Sequence, residues 1–270
     1  DIRGAWLANS KTADRGPKDN TLTENGTVTE GVVETSAELL GYSGFSTSNY
    51  FSRASDADWD VITTGSAYLS LWFKSSGNSA TEYLAGFVKT DNAAGFHIVM
   101  QSAGTITCVD IGATANNQMT PNNVLDDGVW HKLDFVRISS TERFFYIDGV
   151  QADTDTADSG SMTGSGNLPF QIGLRGLSSP DLPATSSTMS LVHLSIPAPT
   201  ATQIRQMYDG EKGMFVASAE CLLQSGSTDA VIDVDVDPLS GKVIVTQTDA
   251  ITIFDGLVVD SKPTVNSGAS

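Results

Sequence analysis

The sequence predicts an all-β fold of antiparallel strands, with one short helix toward the C-terminal side and a small β-meander after it. Three observations predict this. Apolar and β-branched residues alternate with period two in run after run, clusters of Gly, Asn, Asp and Ser divide the runs, and helical periodicity shows in a single stretch. The first strands to stand out are residues 68–74, 83–88 and 96–100, the last two separated by the turn-forming Asp91-Asn92-Ala93-Ala94-Gly95. Residues 105–110, 130–138 and 143–147 follow. Strands at this spacing build a sandwich or a barrel.

A helix is predicted over residues 200–209. Thr200 is placed to cap it, with Gln203 three residues on as the reciprocal partner. Ile204, Met207 and Tyr208 give it a short apolar stripe suited to docking on the sandwich as a lid, and Gly210 is read as its stop. Together, residues 1–217 are read as the sandwich domain. Residues 218–260 are read as a separate meander of three strands, 230–237, 242–246 and 250–254. So small a unit is marginal without a partner surface, which makes it a candidate for oligomerisation, a trimer included. Residues 261–270 read as a tail or linker.

Composition narrows the function classes. The 270 residues carry 32 acids against 15 bases, a net charge of −17. A surface this acidic repels phosphate backbones, so neither nucleic acid nor anionic lipid is an expected partner. No apolar run reaches the ~18–20 residues of a membrane-spanning helix. Two cysteines, Cys108 and Cys221, are too few for a disulfide framework or a zinc site and read as small buried residues. The opening residues, Asp1 to Trp6, carry neither a signal-peptide core nor a Met, as in a fragment or processed product, and leave secretion open.

The segment Asp126-Asp127-Gly128-Val129-Trp130-His131, followed by Phe144-Phe145-Tyr146-Ile147-Asp148-Gly149, resembles the laminin-G/concanavalin-A-like pattern, in which "D-G-x-W-H" opens one strand and "Y-x-D-G" closes the next. Residues 68–74 and 190–195 resemble further strands of the same family. The resemblance implies an antiparallel jelly-roll sandwich. In it Trp72, Trp130 and Phe145 would lie between the sheets, Tyr146 would sit on the aromatic strand, and Asp148-Gly149 would make a hairpin turn with positive φ at Gly149. Many relatives place an acid that helps hold calcium in the last strand. Here Leu191, Val192 and His193 stand there, so no cofactor is expected and calcium is merely left open.

A narrower resemblance, to jelly-roll proteins of bacteriophage tails, rests on residues 22–28, 42–50 and 199–212. It also rests on Thr228-Asp229-Ala230-Val231, Asp237-Pro238-Leu239-Ser240-Gly241 and Ile253-Phe254-Asp255-Gly256-Leu257. It implies a tail-fibre or other virion-surface component whose partners are a host glycan or receptor and other virion proteins. The rival readings are a polysaccharide-degrading enzyme of the same fold and a purely architectural virion protein, with an extracellular location as the alternative.

Catalytic chemistry finds little support in the residues. Retaining glycosidases need two carboxylates about 5 Å apart, and the Glu-x-Asp-x-x-Glu pattern of glucanase relatives is missing. Asp233, Asp235 and Asp237 share one strand face but read as solvated. Asp153, Asp155 and Asp158 fail the spacing of a calcium loop and read as a connector. His97, His131 and His193 form no sequence pair, and no catalytic residue is assigned. Glycan recognition instead calls for an exposed aromatic with amide partners. Trp59, Asn116, Asn117, Gln118 and Arg175 are the candidates, the last four on two segments read as loops, 113–120 and 173–184.

Overall fold

Period-two alternation gives each strand an apolar side, and two such sheets bury their apolar sides against each other. The computed structural model describes residues 2–55, 65–89, 91–162, 168–177, 181–217, 227, 230–237, 239–248, 250–255 and 258–263. The chain divides into two units, Asp1–Ala219 and Glu220–Ser270.

In the first unit one sheet has eight strands. In spatial order they are β13 (Val150–Asp155), β12 (Glu142–Ile147), β11 (His131–Ser139), β6 (Ala67–Ser75), β15 (Ser187–Ser195), β4 (Leu40–Ser43) and β3 (Thr29–Val32), with β1 (Ile2–Trp6) also on β15. The facing sheet has seven, in the order β10 (Asn116–Met119), β9 (Ile106–Ile111), β8 (Gly95–Met100), β7 (Glu82–Val88), β14 (Phe170–Ile172), β5 (Tyr50–Arg53) and β2 (Thr23–Asn25). All pairings are antiparallel. This is the expected jelly-roll sandwich. Leu69, Leu71, Phe73, Phe135 and Phe145 meet Phe87, Phe96, Ile98, Phe170 and Ile172 in its core, with the Phe96 and Phe135 rings stacked at 4.1 Å.

Two segments read as irregular are strands. Residues 116–119 pair with β9 across Asn116↔Ile111 and Gln118↔Val109. Residues 150–155 are an edge strand on β12, and Asp155 is bound rather than solvated. Its Oδ2 accepts from Arg143 Nη2 at 2.9 Å. Arg143 in turn belongs to a buried ionic group that ties the sheets together. Asp110 on β9 accepts through Oδ2 from Arg137 Nε on β11 (3.2 Å), from Arg143 Nη1 on β12 (3.0 Å) and from Ser159 Oγ (2.8 Å).

The tryptophans correct the expectation for the core. Only Phe145 lies between the sheets; Trp72, Trp130 and Tyr146 are buried on the outer face of the eight-stranded sheet. The alternation that turns Leu71 and Phe73 inward turns Trp72 outward. That face is covered by helix α1 (Ala201–Glu211) and the 3-10 turn Lys212–Phe215. The Thr200/Gln203 capping box forms as predicted, with the Thr200 N–H donating to Gln203 Oε1 at 2.9 Å.

Gly210 does not stop the helix. Glu211 accepts from the Trp72 indole N–H at 2.6 Å, and Phe215 stacks on Trp72 at 4.1 Å and leans on Trp130 at 4.9 Å. Burying Phe215 is worth about 1.5–3 kcal/mol, more than the ~1 kcal/mol a helical glycine costs. Beneath the helix the Lys132 ammonium lies 3.3 Å from Asp134 and 3.4 Å from Glu211. Burial pushes the Asp134 carboxyl up to about 6, although Lys132 and the Tyr68 hydroxyl oppose the shift.

The hairpin turn takes positive φ at both Asp148 (52°) and Gly149 (73°), the type I′ signature. Asp148 locks it in place, accepting from the Lys132 N–H at 2.9 Å and contacting His131 Nδ1 at 2.8 Å, while Asp127 lies 3.3 Å from His131 Nε2.

The second unit holds four antiparallel strands rather than three, β16 (Val231–Val236), β17 (Val243–Gln247), β18 (Ile251–Asp255) and β19 (Val258–Ser261), in that order. The additional strand uses residues 258–261, whose backbone pairs with β18. Edge strand β16 is exposed throughout. The Asp237 N–H bonds the Lys242 carbonyl, so by alternation the N–H groups of Val234 and Val236 point away from β17. Each is taken up by the carboxylate just before it, at 2.9 Å from Asp233 and 2.8 Å from Asp235. Cys221 lies outside the described residues; Cys108 is free and buried.

Two predictions follow from these contacts. Asp110→Asn would leave two buried guanidinium groups without their shared anion and should cost about 3–5 kcal/mol in urea unfolding of the full chain. A loss below about 1 kcal/mol would refute the tie. For His131, burial alone would lower the pKa, but hydrogen bonding and charge from Asp148, then Asp127, outweigh it and the net shift is upward. Its contribution to stability is therefore full below about pH 6.5, the unfolded value, and is lost as pH rises through the folded one. The stability gap between the wild type and His131→Gln should shrink from about pH 6 to about pH 9, and a constant gap would contradict this.

Candidate functional site

The outer face of the seven-stranded sheet holds the candidate site. Register sets its side chains in rows. One row crosses the sheet as Gln171, Gly86, His97, Val109 and Gln118, and the next as Val88, Gly95, Ile111 and Asn116. Tyr83, Val99 and Thr107 make a third. Tyr83, Val88, Val99, Val109 and Ile111 form a separate apolar cluster, packed by Leu177 and Leu182 from the loop after β14.

Over this floor opens a depression of about 140 Å³. His97, Val99, Val109 and Ile111 line its base, Asn116 and Gln118 one wall, and Arg175 and Leu182 another, with Thr81, Asn92 and Gln101 at the margin. A polar relay stiffens one side: Gln101 Nε2 donates to Thr107 Oγ1 at 3.0 Å, and the Thr107 and Thr120 hydroxyls are 2.8 Å apart. The opposite wall is held by a bidentate pair, Arg175 Nε and Nη2 donating to Asp181 at 2.7 and 2.6 Å. Exchanged backbone bonds between the same two residues reinforce it, and the Tyr83 N–H donates to the Leu182 carbonyl at 2.8 Å.

His97 is 2% exposed. Burial, then the charge of Arg175, pushes its pKa down to about 3, so the ring is neutral at ordinary pH. An apolar floor with a few convergent polar groups is the usual make-up of a small-ligand site. Among the described residues no carboxylate lines the depression, whereas hydrolysis by a glycosidase needs two. Glu82, on the neighbouring strand, is buried and already engaged by Thr185, Ser186 and Ser187 at 2.6–3.0 Å. Among the described residues no group of three or more His, Cys, Asp or Glu side chains is arranged to hold a metal ion.

Three of the five candidates from the sequence, Asn116, Gln118 and Arg175, come together here. Asn117 does not. Alternation along β10 turns it away, and its Nδ2 donates to the Ala157 carbonyl at 2.8 Å. Trp59 lies outside the described residues. His97 and Gln101 escaped the sequence reading because nothing in the chain order shows which strands become neighbours; the outward parity of His97 on its strand was the available signal. A second depression, of about 240 Å³, lies at edge strand β3 beside Trp130 and Lys74. There the Lys74 ammonium sits 5.3 Å over the Trp130 ring and 2.8 Å from Glu34.

The sequence of residues 31–204 matches the family model Laminin_G_3, described as the concanavalin A-like lectin/glucanases superfamily. The chain belongs to that superfamily. No curated protein matches it significantly. Among solved structures several resemble it at low identity, which is a statement about fold. The receptor binding domain of botulinum neurotoxin C/D mosaic serotype superposes with a TM-score of 0.59 at 10% identity, over 97% of this chain and 65% of that one. This superfamily member thus spans just under two thirds of that relative's length. The binding domain of Paraclostridial Mosquitocidal Protein 1 gives 0.61 at 8% identity, over 99% and 68%. Domain 4 of AbnA, a GH43 extracellular arabinanase from Geobacillus stearothermophilus, solved in complex with arabinotriose, gives 0.57 at 16% identity, over 77% and 98%.

The Arg175–Asp181 pair is partly exposed, so its net energetic worth is small, about 0–1 kcal/mol. Its effect should be local. Arg175→Ala is expected to leave global unfolding nearly unchanged while speeding hydrogen exchange at the Tyr83 amide. Unchanged exchange there would show that the wall does not depend on the pair.

Proposed function

We propose that this superfamily member is a non-catalytic glycan-recognition module, and that the outer face of the seven-stranded sheet is its binding surface. The observation that carries the reading is the depression walled by the Asn116 and Gln118 amides and floored by His97, with no carboxylate among its described lining residues. Amides both donate and accept, which suits the hydroxyls of a sugar. The likeness to an arabinanase domain solved with an arabinose oligomer, and to toxin domains described as receptor binding, supports the same direction.

We further propose a setting on a virion, as part of a tail fibre or similar appendage that meets a host surface glycan or receptor. The resemblance of short segments, such as Asp237-Pro238-Leu239-Ser240-Gly241, to phage-tail jelly rolls supports that setting. Several copies per particle, through homo-oligomers such as a trimer and contacts with other virion proteins, would raise weak single-site binding by avidity.

The test is to pass the full chain over immobilised bacterial surface polysaccharides and to assay the same polysaccharides for new reducing ends. Retention without turnover is expected. The double variant Asn116→Ala/Gln118→Ala should weaken binding about tenfold, as the loss of two ordinary hydrogen bonds implies. Steady release of reducing ends would replace this reading with an enzymatic one, and assembly into particles without any glycan retention would favour a purely architectural role.

A further inference from the structure

The polar groups around the depression say more about the class of sugar. The one cation among its described lining residues, Arg175, is already neutralised by the bidentate contact with Asp181. The chain as a whole carries a net charge of −17, whose field repels polyanions. A glycan bearing uronic, sialic or phosphate groups would meet repulsion without a free counter-charge. The Asn116 and Gln118 side chains, by contrast, are exposed and take part in no hydrogen bond among the described residues.

His97 adds a directional element. Its Nδ1 is enclosed and completes no hydrogen bond, and the Phe87 carbonyl is the nearby backbone acceptor whose pull favours a proton on the ring. Gly95 lies between them. A Cβ there would come within 3.1 Å of both Nδ1 and the Phe87 carbonyl oxygen, so the absent side chain leaves that approach clear. A proton held on Nδ1 toward Phe87 leaves Nε2 with its lone pair, since a neutral imidazole has one donor and one acceptor nitrogen. Gly86, beside His97 in the same row, keeps the backbone open on the other flank; a Cβ there would come within 2.5 Å of the His97 Cβ.

We propose that the depression takes a neutral, hydroxyl-rich sugar, and that His97 Nε2 is the acceptor that selects a donor hydroxyl on it. This inference rests on the glycan-binding reading and deepens it. The groups facing His97 are Arg175 and its partner Asp181 on the loop and Tyr83 on β7. Arg175 opposes protonation, and burial raises the Tyr83 hydroxyl well above its usual range. Recognition by the neutral ring is accordingly independent of pH between about 5 and 8.

The experiment uses the full chain with nitrogen-15-labelled histidine. In the free protein the His97 ring should show the Nδ1–H tautomer throughout that pH window. The reverse tautomer, or titration within the window, overturns the acceptor role while leaving glycan binding intact. The protein is then titrated with neutral probes (arabinan, mannan and dextran oligosaccharides) and acidic ones (galacturonate and sialylated oligosaccharides). A neutral probe should bind, shift the His97 Nε2 resonance, and bind about tenfold more weakly to His97→Phe. Binding of acidic probes alone overturns the inference but spares the glycan reading. A neutral probe that leaves the wild-type His97 resonance unmoved places the ligand elsewhere and also overturns it, whether or not the variant folds. If no probe binds, the glycan reading falls and this inference falls with it.

Discussion

Two stacked sheets present four faces, and the described residues of the first unit cover three of them. The inner faces close on each other through rings such as Phe96 and Phe135. The outer face of the eight-stranded sheet is closed by α1 and the turn after it, fastened through Trp72 to Glu211 and Phe215. What remains is the outer face of the seven-stranded sheet, covered on one side by the loop that carries Arg175 and Leu182. The position of the candidate site is therefore a consequence of where the helix is spent.

Charge is used inside the sandwich as a fastening between layers. Asp110 comes from one sheet, Arg137 and Arg143 from the other, and one carboxylate oxygen serves both guanidinium groups. Hydrophobic contact is non-directional, so the ionic group adds a specific point of registration to the packing of the layers. A buried ion that must meet its partner does not allow sliding, since separation would leave it uncompensated. The layer of Lys132, Asp134 and Glu211 does the same between sheet and helix.

Much of the fold was legible because the long strands β6, β7, β8, β9, β11 and β12 write their alternation in apolar residues, and because the Thr200/Gln203 box is local chemistry. Less legible were strands whose identity depends on a neighbour. Residues 116–119 are polar and become a strand by pairing with β9; residues 150–155 do so by pairing with β12 and feeding Asp155 to Arg143. The outward placement of Trp72 and Trp130 turns on which face the helix covers, and the sequence does not state that. The site divides along the same line. Asn116, Gln118 and Arg175, named by residue type, meet at the candidate depression, strand parity turns Asn117 away from it, and His97 enters through the cross-strand register that sets it in one row with Gln118.

Edge strand β16 carries a last implication. The outward N–H groups of Val234 and Val236 are each occupied by the carboxylate just before them, and the same carboxylates form an acidic stripe along one side of the strand. Were two copies to zip edge to edge, these stripes would face each other at the ~5 Å spacing of paired residues, where like charges repel. The strand thus practises self-avoidance. A strand laid along this rim would meet that negative stripe, and positive charge of its own would favour its arrival.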